Sequence, residues 1–192
     1  MSNQQAITKH QVILLQQGDA KTFSEMLGMY EKRIFRLVNG IVRNPSDAED
    51  VTQETFVKVY KALPKFRGDS ALYTWIHQIA SNTAINFLKS VKRRVQTVDI
   101  DNTEISHDWN TTDATPEQEI IDREMMSVIQ NAVDGMSPEL REAFALRELE
   151  GLSYNLIAET VNCPIGTVRS RIFRARESVD EKLKEFSNEN NR

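Results

Sequence analysis

From Ala20 to Arg43 the large apolar side chains fall at Phe23, Met26, Leu27, Tyr30, Ile34, Leu37, Val38 and Ile41. Their period is close to 3.6 residues, which predicts one long amphipathic helix. Asn44-Pro45 ends that pattern. Ser46-Asp47-Ala48-Glu49 then reads as a capping box, Ser and Glu each satisfying a backbone N–H that the first helical turn leaves free. The helix it starts is expected to run to Leu63, with Val51, Phe56, Val59, Tyr60 and Leu63 on or near its buried side and Pro64 stopping it. Beyond the polar loop 65–70, Leu72, Trp75, Ile76, Ile79, Thr83, Phe87 and Leu88 predict a further helix from about Ala71 to Arg94.

Periodicity then vanishes between about Val95 and Thr115, where Asp, Asn, Thr and Ser dominate, as in a flexible acidic tether. Thr115-Pro116-Glu117-Gln118 restores a helix start, and Ser137-Pro138 repeats it. No strand alternation, hairpin turn or internal repeat is present. The pattern predicts an all-α protein of two small helical domains, residues 1–95 and 121–187, joined by a linker over 96–120. Residues 188–192 are expected to be a disordered tail.

The stretch 152–176, LSYNLIAETVNCPIGTVRSRIFRAR, is patterned as a helix-turn-helix over about 154–173. Ser153 caps its first helix, whose apolar face carries Leu156, Ile157 and Val161, and small Ala158 lets a second helix cross closely. Asn162 suits the turn because Asn tolerates left-handed dihedrals, and Pro164 fits the first position of the next helix. In that helix Val168, Ile172, Ala175 and Val179 make a buried stripe. Thr167, Arg169, Ser170, Arg171, Phe173, Arg174 and Arg176 lie beside or opposite it. Arginine's planar fork matches a phosphate or the edge of guanine, so this is a DNA-reading helix. A merely amphipathic surface helix would not explain the turn residues at these offsets.

Composition modifies the picture in three ways. No apolar run in the 192 residues approaches the ~18 needed to cross a membrane, and the polar N-terminus does not read as a signal peptide. The lone Cys163 excludes an internal disulfide, fits a reducing cytoplasm and is expected to pack in the turn. No CxxC pair or histidine cluster supports a metal site, and no cofactor motif is present. Finally, the net charge of −4 is unusual for a protein that binds DNA alone. The charge is segregated: 89–94 and the recognition helix are basic, whereas nine acids face Arg123 alone between Asp99 and Glu124. Such a chain is expected to bind promoter DNA weakly until a partner adds affinity.

Segments 47–63, 66–88 and 146–176 together resemble the extracytoplasmic-function sigma factors, most like the sigma-E group of Gram-negative bacteria. The resemblance spans nearly the whole chain in the same order. It implies a dissociable, non-enzymatic subunit that directs RNA polymerase to −10/−35 promoters. Implied partners are core polymerase, at the β′ clamp helices and β flap, promoter DNA, and an anti-sigma factor, often membrane-anchored. Asp50, Gln53, Glu54, Val57 and Lys58 would dock on the clamp helices, although without the resemblance they read as an ordinary solvated face. Phe66, Arg67, Asp69, Ser70, Tyr73, Trp75, His77 and Asn82 would recognise and melt the −10 element, with Lys89, Lys92, Arg93 and Arg94 on phosphates. Trp75 fits the helix core as well as a base platform. His77 stands where sigma-E relatives carry an aromatic or basic residue. On the −35 element, Arg169, Ser170, Phe173 and Arg174 would reach base edges and Thr167, Arg171 and Arg176 mostly phosphates.

Two other classes compete. A two-domain regulator would need a receiver or ligand-pocket pattern, which is absent. A helical enzyme with a DNA module would need a nucleophile with its base, paired carboxylates, a P-loop or a dinucleotide motif, and none is found.

Overall fold

A computed structural model describes residues 7–95 and 116–190, with side chains from 7–93 and 124–188. Among them the chain is wholly helical, as expected: α1 (Lys9–Gln16), α2 (Ala20–Val42), α3 (Pro45–Ala62), a 3-10 turn (Leu63–Lys65), α4 (Leu72–Val95), α5 (Pro116–Asp134), α6 (Pro138–Glu148), α7 (Tyr154–Thr160) and α8 (Ile165–Asn190). The expected tether between 95 and 115 lies almost wholly outside the described residues, as does the very end of the chain. Helix α8, however, continues through the first residues assigned to a disordered tail.

Local chemistry explains most of these boundaries. Helix α1 has no long apolar stripe to announce it, only eight residues with Leu15 buried. It is held instead by a capping box, Gln11 N–H donating to Thr8 Oγ1 (3.3 Å) and Thr8 N–H to Gln11 Oε1 (2.9 Å). Asp19 caps α2 by accepting from Thr22 N–H at 2.7 Å. Asn44, not Ser46, caps α3: its Oδ1 accepts from Asp47 N–H at 3.1 Å, and Pro45 occupies the first helical turn. The Asn-Pro pair read as a break is therefore a start signal, because proline's missing N–H has no partner to lose at that position. Tyr60 also departs from expectation, lying half in solvent at the rim of α3.

Helices α2, α3 and α4 pack around Met26, Ile34, Leu37, Val38, Ile41, Val51, Val59 and Ile76. Helices α5, α6 and α8 surround Ala132, Val133, Met136, Ala175 and Val179. The halves are not apart in this structure. Helix α6 lies along α2, and α7 touches α4, so Leu146, Ile157, Val168 and Ile172 join the same core as Ile34 and Ile76. The two halves come close at Gly40, where a Cβ would stand 3.0 Å from Leu149 Cδ1 and 3.3 Å from Ala145 Cβ.

The capping assignment is testable. Asn44→Ala should lower stability by ~1 kcal/mol and Tm by ~2–4 °C, whereas Ser46→Ala should stay within a few tenths of a kcal/mol. Thermal melts followed by circular dichroism decide; a larger loss for Ser46→Ala would restore the capping box.

Candidate nucleic-acid interface

The helix-turn-helix forms as its residues dictate. Ser153 Oγ accepts from Leu156 N–H at 3.3 Å, and Asn162 takes the left-handed φ of 49° that closes the turn. Pro164 sits one residue before α8 rather than inside it, its carbonyl accepting from Thr167 and Val168 N–H at 2.9 and 3.2 Å. Val168, Ile172, Ala175 and Val179 are all buried, which turns the opposite face outward. Arg169, Ser170, Phe173, Arg174 and Arg176 are exposed there, Phe173 at 65%; Thr167 and Arg171 are half-buried. Arg176 is not free, since its guanidinium holds Glu148 of α6 at 2.7 Å. Cys163 is half-buried in the turn, 4.0 Å from an Arg171 nitrogen.

On α3 the residues Asp50, Gln53, Glu54 and Val57 are exposed on one side, with Val57 at 52%. Lys58 is drawn back, pairing with Glu54 at 2.8 Å and donating to Thr83 of α4 at 3.3 Å. Beside them Phe23 and Leu27 of α2, with Thr52, Gln53, Phe56, Val57 and Tyr60, line an apolar groove of about 340 Å³.

The loop between the 3-10 turn and α4 exposes Arg67, Asp69 and Ser70 around Gly68, whose φ of +75° is the left-handed region glycine favours. Gln16 of α1 anchors the loop by donating to the Phe66 carbonyl at 2.7 Å. Between α1 and the loop lies an open cavity of about 760 Å³ with Ile13, Tyr30, Arg67, Asp69, Ser70 and Tyr73 on its walls. Asn82 is exposed on α4, and Lys89, Lys92 and Arg93 line a shallow depression near that helix's end. The side chain of Arg94 lies outside the described residues.

Three expected contacts are not available as drawn. Phe66 is buried at 7% exposure, its ring 4.9 Å from Trp75, so the pair packs the base of the loop and Trp75 stays half-buried. His77 is fully buried, its ring 3.9 Å from that of Tyr73, on the helix that α6 and α7 pack against. Tyr73, one turn earlier, is half-buried and donates its hydroxyl to Glu150, from the loop after α6. Arg33 of α2 completes the cluster, its Nη2 and Nε donating to the same Glu150 oxygen at 3.0 and 3.3 Å. Neither Arg33 nor Glu150 carries a sequence signal: one is a charge among the polar positions of an amphipathic helix, the other a loop acid before Gly151. Burial, with help from Arg33, pushes the His77 imidazole down to about 3. It is neutral, and its 3.6 Å contact with Glu150 is not an ion pair. Buried Glu142 on α6 was missed in the same way; burial pushes its carboxyl up to about 7, against the pull of Ser81, Arg171 and Lys89. Among the described residues no cluster of His, Cys, Asp or Glu could hold a metal, and no helix is long and apolar enough to cross a membrane.

Residues 26–94 match the family Sigma-70 region 2, and residues 126–179 match Sigma-70, region 4. The ECF RNA polymerase sigma-E factor of Haemophilus influenzae is 41% identical over 174 residues, covering 88% of this chain and 91% of that protein. The chain belongs to the ECF sigma-E factors. The Escherichia coli K12 sigma-E factor is 42% identical over the same length, covering 88% and 90%. Among solved structures, the sigma factor RpoE in complex with the anti-sigma factor NepR from Bartonella quintana aligns with a TM-score of 0.71 at 25% identity, covering 86% of this chain and 98% of that one. CnrH, in complex with the cytosolic domain of CnrY, shares the fold, with a TM-score of 0.64 at 18% identity over 92% and 96% of the two chains. Region 2 of this sigma factor thus comprises most of α2 with α3 and α4, and region 4 runs from α5 into α8; α1 lies outside both matches. The family is one of DNA-binding transcription initiation factors.

The buried imidazole gives this sigma factor a pH signature. A histidine held below its ordinary 6.5 favours the folded state fully above 6.5, and that advantage declines as pH falls toward 3. The His77 ring signals in an NMR titration should stay in the neutral form down to about pH 4.5. A midpoint near 6.5 would show the ring open to water.

Proposed function

We propose that this sigma factor docks on core RNA polymerase through α3, captures an unstacked −10 base at loop 66–71 and reads the −35 element with α8. The observation that carries the reading is the solvent face of α8. Arg169, Ser170, Phe173 and Arg174 stand exposed together over a fully buried stripe, behind a turn of the right geometry. Bidentate arginine and an apolar ring suit base edges in a major groove, while half-buried Thr167 and Arg171 are proposed to meet phosphates. Arg176 takes part only by exchanging Glu148 for a phosphate.

The groove beside α3 supports the docking role. Val57 and Tyr60 leave apolar surface in water, flanked by Asp50, Gln53 and Glu54. This combination fits a basic helical partner such as the β′ clamp, apolar contact supplying affinity and carboxylates the register. In the −10 region, Arg67, Asp69, Ser70 and Asn82 are solvent-facing and offer base edges and phosphates their partners. Lys89, Lys92 and Arg93 extend a cationic track for the strand. Region 4 is also proposed to meet the β flap. The domains are proposed as 1–95 and 121–187, the protein as cytoplasmic and not an enzyme. An anti-sigma factor, membrane-anchored in this reading, is the proposed regulator; the NepR complex of the Bartonella relative supports such a partner.

Reconstitution with core polymerase, followed by sequencing of transcript starts, tests the reading: initiation should occur at a small promoter set, and initiation nowhere would end it. Asp50→Ala with Gln53→Ala should abolish core binding with helicity intact. Unchanged affinity would remove α3 from the interface. Arg174→Ala should cost ~1–3 kcal/mol and relax specificity at one −35 position, whereas a loss equal across all promoter variants would make it a phosphate contact.

A further inference from the structure

The Glu150 carboxylate is buried, its side chain only 1% exposed, yet it comes from a loop. All its partners belong to the other half of the molecule: two N–H groups of Arg33 on α2 and the Tyr73 hydroxyl on α4. The cluster is braced from behind. The Arg33 guanidinium lies 4.2 Å over the Tyr73 ring, the Tyr73 and His77 rings are 3.9 Å apart, and Tyr30 stands 5.2 Å beyond. A fork of donors, a phenol and an aromatic floor make a built site for one anion. We infer that Arg33 and Tyr73, floored by the His77 ring, form a carboxylate-binding site whose ligand is Glu150 of the chain's own DNA-reading half, and that this contact latches the sigma factor closed. The functional consequence rests on the reading above: while the latch is shut, Tyr73 and His77 are withheld from promoter DNA.

The same geometry makes the contact separable. Both His77 nitrogens and Glu150 Oε1 are buried without hydrogen-bond partners, so water would satisfy on opening what the closed state leaves unmet. A buried charge pair selects one arrangement more than it adds stability, because desolvation offsets much of the attraction. At Gly40 the apolar part of the contact has no room to spare, α2 admitting Ala145 and Leu149 because no side chain intervenes. Covalent connection does not force the closure: the 20 residues 96–115 could reach ~65–70 Å if extended. Elsewhere, Arg43 at the end of α2 holds Asp134 of α5 at 2.6 Å, a second tie with one end in solvent.

The test measures distance in the full, free chain by double electron–electron resonance, with labels at Lys61→Cys and Asp180→Cys in a Cys163→Ser background. The parent should show one narrow distance. Glu150→Ala and Arg33→Ala should each shift the closed-to-open ratio about tenfold or more, and the double variant should do no more than either alone. Glu150→Gln, nearly isosteric but uncharged, should open the chain with helicity unchanged. Gly40→Leu should open it by wedging α2 from α6 while leaving every cluster residue in place. A broad distribution in the parent would overturn the closed state, and an unshifted narrow distance in folded Glu150→Ala and Glu150→Gln would overturn the latch. None of these readouts uses DNA or polymerase, so a chain that opens as expected but never initiates transcription would refute the functional reading alone.

Discussion

The joining of the two halves leans on α2, which packs against α1, α3, α4 and α6 at once. Met26, Tyr30, Ile34, Leu37, Val38 and Ile41 cover more of its circumference than α3 and α4 can shield. A helix apolar around so much of its surface gains from each further helix that covers it. Helix α6 closes the remaining side, and in doing so brings the helix-turn-helix against region 2. At roughly 25 cal/mol per Å² of apolar surface removed from water, that closure is favourable even before any polar contact forms.

The polar contacts decide which closed arrangement results. Glu150 meets Arg33 and Tyr73 in the same arrangement in which Gly40 faces Ala145 and Leu149, so the carboxylate adds a directional contact to the register of the apolar packing. The same closure explains why His77 is neutral and why buried Glu142 holds its proton unusually high. Folding also pairs two cations, Arg176 with Glu148 at the surface and Arg33 with buried Glu150. These two pairs leave fewer unpaired cations on the isolated sigma factor, whose net charge is −4.

The candidate site was legible where its chemistry is local. Ser153, Asn162 and the Val168–Ile172–Ala175–Val179 stripe act within a few residues of one another, so their spacing alone places Arg169, Ser170, Phe173 and Arg174 in solvent. The exposed acids of α3 were legible for the same reason. Phe66, Tyr73 and His77 were misplaced because their surroundings come from elsewhere in the chain: Trp75 across the loop, Glu150 and α6 from the far half. Helix α1 escaped notice because its stability comes from a cap and from Leu15 reaching a distant core, not from a stripe of its own.

By itself, then, the amino-acid order determined the helices, most of their starts and stops, and which face of each is apolar. These follow from backbone hydrogen bonding and side-chain period over three or four residues, which no remote contact needs to supply. Only the tertiary structure decided which apolar faces meet, that both halves share one core, and which polar groups lose their water. Burial and electrostatic partnership depend on segments more than a hundred residues apart, such as Arg33 and Glu150. Whether a histidine on a helix faces DNA or an internal carboxylate is settled by what folds across it.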